Sequence, residues 1–136
     1  MKTNRHQIRE YAFQTLFAMH SNDEMDLDDF FKYLTDDESA VAPEYYKELV
    51  NGVKDNKEKI DEIIKSFLDS KWTISRLNKS DLIILELGIY EMDFEEDVPD
   101  KVAINEALEL AKKFSDEKSS NFINAILDKN MKKNPE

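Results

Sequence analysis

The chain has 136 residues, no cysteine, two glycines and three prolines, and its 30 acidic side chains outweigh 19 lysines and arginines to leave a formal net charge of −11. This composition excludes disulfide staples and thiolate metal sites, supplies too few turn formers for an all-β fold, and sets a mean field that repels nucleic-acid phosphate. A chain of this length buries about 68% of its unfolded surface, enough for one core. No apolar run reaches the roughly 18 residues of a membrane span, so a cytoplasmic protein that makes no use of a membrane is expected.

Residues 3–20 read as the first helix. Ile8, Tyr11, Ala12, Thr15, Leu16 and Met19 repeat at helical spacing and form its core stripe. Beside it runs a second stripe, Arg5, Arg9, Phe13 and Phe17, each four residues from the last. A basic stripe continuing into aromatics suits phosphate pairing and base stacking. Equally, the two phenylalanines can widen the core face while the arginines stay solvated. His6 and His20 are too far apart for a joint metal site.

Residues 21–42 are acidic, with a short helix at Leu27, Phe30, Phe31 and Leu34. Asp23-Glu24 and Asp36-Asp37-Glu38 lack the glycine and alternating ligands of a calcium loop and read as solvated. Pro43 opens a helix that the periodicity carries without a break to about residue 69. In it, Gly52 either admits a close neighbour or weakens the helix. The connector Lys71-Trp72-Thr73-Ile74-Ser75-Arg76-Leu77 carries one large apolar anchor, Trp72.

Asn78 is suited to cap the next helix, with Asp81 three residues on. From Leu82 to Met92 that helix is apolar on nearly every side and is expected at the centre of the second half. Glu86 and Glu91 interrupt it and must point outward or find partners. Residues 98–130 then read as a helical hairpin. Ile104, Ala107, Leu108, Ala111 and Phe114 form one face, and Phe122, Ile123, Ile126 and Leu127 the other. Ser119 or Ser120 is placed to cap the second arm. Asn105 and Asn124 lie beside core positions and are expected to be buried amides with bonded partners. Residues 130–136 read as a frayed tail.

The charge is uneven. Lys2, Arg5 and Arg9 near the start and Lys118, Lys129, Lys132 and Lys133 near the end make both termini basic around an acidic middle. If the ends meet, they form a basic patch on a body suited to a basic partner. No phosphate-cradling glycine loop, Ser/His/Asp order, Cys/His order or HExxH appears, so neither catalysis nor a cofactor or metal is expected. The residues give a single all-α domain, 1–136, of about seven helices in two packed sub-bundles, 1–70 and 71–136.

Val98-Pro99, Lys101-Val102-Ala103-Ile104-Asn105-Glu106-Ala107, Glu109-Leu110-Ala111-Lys112-Lys113-Phe114 and Asn121-Phe122-Ile123-Asn124-Ala125-Ile126-Leu127-Asp128-Lys129 closely resemble the C-terminal signature of the NusB family of bacterial transcription antitermination factors. The resemblance extends to Trp72, Leu85–Tyr90-Glu91 and Arg9-Glu10…Ala12…Gln14…Leu16-Phe17, nearly the whole chain. It implies an all-helical fold of N- and C-terminal sub-bundles and a non-enzymatic role. It further implies pairing with the small ribosomal subunit protein NusE, binding to boxA-type single-stranded RNA, and support of ribosomal RNA transcription in the RNA polymerase antitermination complex.

By position, the resemblance implicates Arg5, His6, Arg9, Phe17, Lys118, Asn121 and Phe122 in RNA binding. Phe17 and Phe122 are expected to flank an unstacked base. Asp81 is implicated in NusE contact, with its helix-start role as the alternative. Two departures stand out. The family often carries several consecutive arginines where this chain has Arg5-His6-Gln7-Ile8-Arg9, which implies weaker RNA binding. An acidic residue common in some relatives near the last helix start is Lys118 here, which partly offsets that loss. Two other readings stay open: a protein-only helical scaffold or homodimer, and a stand-alone relative of the NusB-like domain of RNA methyltransferases.

Overall fold

Residues 81–91 are buried without interruption, and the fold is arranged around the helix that contains them. The computed structural model describes residues 4–22 and 24–133, leaving Lys2 of the expected basic end and Asp23 of the acidic loop outside the described residues. It contains α1 (Arg5–Met19), α2 (Leu27–Thr35), α3 (Glu44–Asp55), α4 (Lys57–Ser66), a 3-10 turn (Ile74–Arg76), α5 (Lys79–Phe94), α6 (Asp100–Phe114) and α7 (Glu117–Lys133). The fold is all-α, in two sub-bundles. α1 packs on α2, α3 and α6, α6 packs on α7, and α5 lies against α1, α3 and α4 as well as α6 and α7. That dual contact is why α5 is apolar all round.

Several local expectations hold. The Asn78 side chain accepts from the Asp81 N–H at 2.8 Å, capping α5. Gly52 is where α3 meets α5: a Cβ there would overlap Cε1 and Cζ of the Tyr90 ring, so no larger residue fits without movement.

Others are corrected. The helix expected from Pro43 to about residue 69 breaks at Asn56, where the backbone leaves the helical region at φ −109° and ψ 16°, and where the side-chain amide joins the backbone N–H in donating to the Gly52 carbonyl, at 2.8 and 3.1 Å. Trp72 is 52% exposed and, among the described residues, is not one of the side chains packed against the core. α7 begins at Glu117, capped by Asp116, whose carboxylate accepts from the Ser119 N–H at 2.8 Å, so neither Ser119 nor Ser120 is the cap. Asn105 and Asn124 are both exposed, because one residue beyond Ile104 or Ile123 is a 100° turn away from the core face. Residues 130–133 continue α7 rather than fray: Asn130 is fully buried and donates to Asp93 at 3.1 Å. Residues 134–136 lie outside the described residues.

Candidate nucleic-acid and partner interface

α1 and α6 run side by side in the same direction: Glu106 meets His6 and Arg9, Lys113 meets Glu10, and Phe114 meets Phe13. Asn4 caps α1, accepting from the Gln7 N–H at 2.9 Å, so Arg5, His6 and Arg9 occupy its first turns. The expected basic stripe divides there. Arg9 turns inward and is only 5% exposed, its Nε donating to both oxygens of Glu91 at 2.8 and 3.0 Å. Tyr45 donates to the same carboxylate at 2.5 Å. Burial pulls the Arg9 guanidinium down, and its bonds to Glu91 outweigh that, holding it above the ordinary arginine range and charged. Burial first, and then the Glu91 carboxylate, push the Tyr45 phenol up, so it stays a donor.

Arg5 and His6 turn outward. The Arg5 guanidinium lies 3.9 Å from the Tyr45 ring centroid and donates one bond to Asp97 at 3.1 Å. His6 sits between Glu106, at 2.9 Å, and Glu10, at 3.5 Å. Glu10 also takes Lys113 at 2.8 Å. The result is one connected run of charge, Arg5–Tyr45–Glu91–Arg9–Glu106–His6–Glu10–Lys113, with Asp97 closing its outer end.

The aromatic half of the stripe also divides. Phe13 is buried and stacks on Phe114 with centroids 4.4 Å apart, so the core-widening reading holds for this ring. Phe17 is 39% exposed, with the Lys79 ammonium 4.1 Å from its centroid. Phe13, Gln14, Phe17, Leu34, Ser80 and Phe114 line an open hollow of about 420 Å³. The ring that meets the Phe13–Phe17 pair is therefore Phe114, while Phe122 is half-buried against the core. Lys118 and Asn121 are exposed on the first turns of α7, and Lys118 makes no ion pair among the described residues.

Asp81 is 7% exposed, and its two oxygens accept from Ser115 Oγ at 3.0 Å and Ser119 Oγ at 2.9 Å. It ties the start of α5 to the end of α6 through Ser115 and to the first turn of α7 through Ser119. Sequence reasoning missed Lys79 and the surface role of Phe114. Lys79 directly follows the Asn78 cap, which was a usable signal; Phe114 sat on a core stripe, which hid it. Among the described residues no group of three potential ligands is placed to hold a metal ion, and no helix is long and apolar enough to cross a membrane.

The fold and this surface define an all-helical binding protein, whose chemistry is a face of paired charges and stacked rings. The family model for NusB matches residues 6–132, and the chain belongs to the NusB family. It is 48% identical over 129 residues to the transcription antitermination protein NusB of Limosilactobacillus reuteri, covering 95% of this chain and 94% of that one. It is 44% identical over 135 residues to the protein of the same name in Lactiplantibacillus plantarum, covering 97% of each. Among solved structures it is similar to T. maritima NusB, with a TM-score of 0.82 at 35% identity over 97% of this chain and 93% of that one. It is also similar to a chain of the crystal structure of antitermination factors NusB and NusE in complex with dsRNA, with a TM-score of 0.82 at 28% identity, covering 96% of this chain and 97% of that one.

Proposed function

We propose that this protein is a non-enzymatic transcription antitermination factor that binds RNA together with NusE, and that its RNA is the single-stranded boxA type, read within the RNA polymerase antitermination complex on ribosomal RNA operons. The reading places it in the cytoplasm, where bacterial transcription takes place. The observation that carries it is the single α1–α6 face, with Arg5 and His6 at one end and the exposed Phe17 ring beside an open hollow at the other. Cations that meet phosphate beside a ring that accepts a base are what single-stranded RNA requires. Lys118, Asn121 and Phe122 extend this surface along α7. Arg9 supports it from beneath, fixing the first turns of α1 through Glu91. Asp81 contributes to the NusE face by holding the α5–α6–α7 junction in shape through Ser115 and Ser119. The junction between sub-bundles 1–70 and 71–136 falls in the connector after α4.

The test compares boxA-type RNA binding by the protein alone, by its complex with NusE, and by complexes carrying Arg5→Glu or Phe17→Ala. The complex should bind more tightly than the free protein, whose net charge is −11. Phe17→Ala should lose roughly 1–3 kcal/mol, the value of one stacked base. Both variants should leave the protein–protein affinity unchanged. A wild-type complex that binds no RNA overturns the reading.

A further inference from the structure

The cations of the α1–α6 face are not free. Arg5 is held by Asp97 and Lys113 by Glu10, at 3.1 and 2.8 Å, the separations at which a phosphate oxygen meets the same groups. These pairs differ in kind from the one beneath them. Arg9 and Glu91 have side chains 6% and 3% exposed and form a fixed, buried pair. Arg5 and Asp97 are 45% and 64% exposed, and Lys113 is 56% exposed over Glu10 at 17%. A pair exposed on both sides, as Arg5–Asp97 is, contributes little to stability and exchanges readily, and in the other pair Lys113 is the exposed partner. Arg5 is also underused. Its guanidinium lies on the Tyr45 ring and gives Asp97 a single bond, leaving other N–H groups for an acceptor that can take two.

We infer that Asp97 and Glu10 set the RNA affinity of this surface: their carboxylates occupy the places of two phosphates, and RNA binds by displacing them from Arg5 and Lys113. The inference rests on the RNA-binding reading above. Its physical consequence is a threshold. A displaced carboxylate stays on the surface beside the incoming phosphate, and like charges this close oppose binding. Each freed carboxylate also takes up a salt cation, which offsets the counterions that the RNA releases. The dependence on salt is then shallower than about −0.7 per phosphate contacted.

The experiment measures the affinity of NusE complexes for a boxA-type single-stranded RNA oligonucleotide across a salt series, using wild type, Asp97→Asn, Glu10→Gln, the double variant and Glu62→Gln. Glu62 is an exposed acid on α4, which packs on α3 and α5, and its removal changes net charge equally. Each of the first two variants should bind roughly two- to fivefold more tightly, and the double variant by about the product, at ~0.15 M salt. Their salt dependence should steepen toward about −0.7 per contact. Glu62→Gln should match wild type. If Asp97→Asn and Glu10→Gln bind no more tightly than a wild-type complex that does bind, the inference falls and the RNA reading stands. If Glu62→Gln gains as much as they do, net charge rather than placement is responsible and the inference falls. If no complex binds RNA, the functional reading itself falls.

Discussion

One carboxylate, Glu91, joins three helices. It lies on α5, receives Arg9 from α1 and Tyr45 from α3, and is 2% exposed. Removing one member of a buried pair strands the other charge in a medium that cannot solvate it, at roughly 3–5 kcal/mol. Glu91→Ala should therefore lower stability by that amount, read as an earlier urea midpoint. Replacing both partners with apolar residues, as in Glu91→Leu with Arg9→Met, should recover much of the loss, since no unpaired charge remains. A Glu91→Ala protein that unfolds at the wild-type midpoint would show that the pair carries no structural weight. In the sequence Glu91 was visible only as an acid inside an apolar helix, in need of a partner. That the partner was Arg9, 82 residues away, was not visible.

Among the elements, the crossing of α3 and α5 depends on the absence of a side chain at Gly52. Glycine to alanine within an exposed helix stabilises by up to about 1 kcal/mol through helix propensity alone. Here the added methyl meets the Tyr90 ring. That ring is 8% exposed, stacks on Phe94 at 5.5 Å and donates to Glu95 at 2.9 Å, so it cannot move aside without losing those contacts. Overpacking of this kind costs typically about 1–3 kcal/mol and outweighs the propensity gain. Gly52→Ala should lower the melting temperature; an unchanged or raised one refutes the close approach. The break at Asn56 belongs to the same scale. Periodicity continued across it, because only the Asn56 backbone departs from the helix and the i to i−4 bonds on either side of it are kept.

For the molecule as a whole, one contribution to stability against pH comes from Glu86, which is 3% exposed where α4 packs on α5. Burial first, and then the Asp61 carboxylate, push it from its ordinary 4.5 up to about 8, against the opposing pull of Lys57. Lys57 lies 3.0 Å from Glu86 and 2.9 Å from Asp61, so two carboxylates share one ammonium. Between 4.5 and about 8 the folded protein holds a proton that the unfolded chain has released. Stability from this site is therefore full below the lower value and is lost as pH rises to the upper one. Glu86→Gln is neutral throughout. Its melting temperature minus that of wild type should grow from pH 5 to pH 8 and then level off. Parallel melting curves across that range would show that Glu86 titrates normally.

The chain by itself determined the helical class, most of the helices, the Asn78 cap, the burial of α5 and the family, because helical period, capping and a long spaced signature are written within a few residues of one another; that 43–69 is two helices and that α5 serves both halves was not written there. Tertiary structure alone decided the fate of the charges and rings. It sent Arg9 inward and left Arg5 outside, although both stand on one stripe. It set Phe114 rather than Phe122 beside the hollow at Phe17, turned Asn105 and Asn124 to solvent, and placed an acid against both Arg5 and Lys113. These outcomes depend on which helix packs alongside, through pairs separated by 82 to 103 residues. Local pattern specifies which side chains share a face, but burial and charge pairing are properties of the neighbour that covers it.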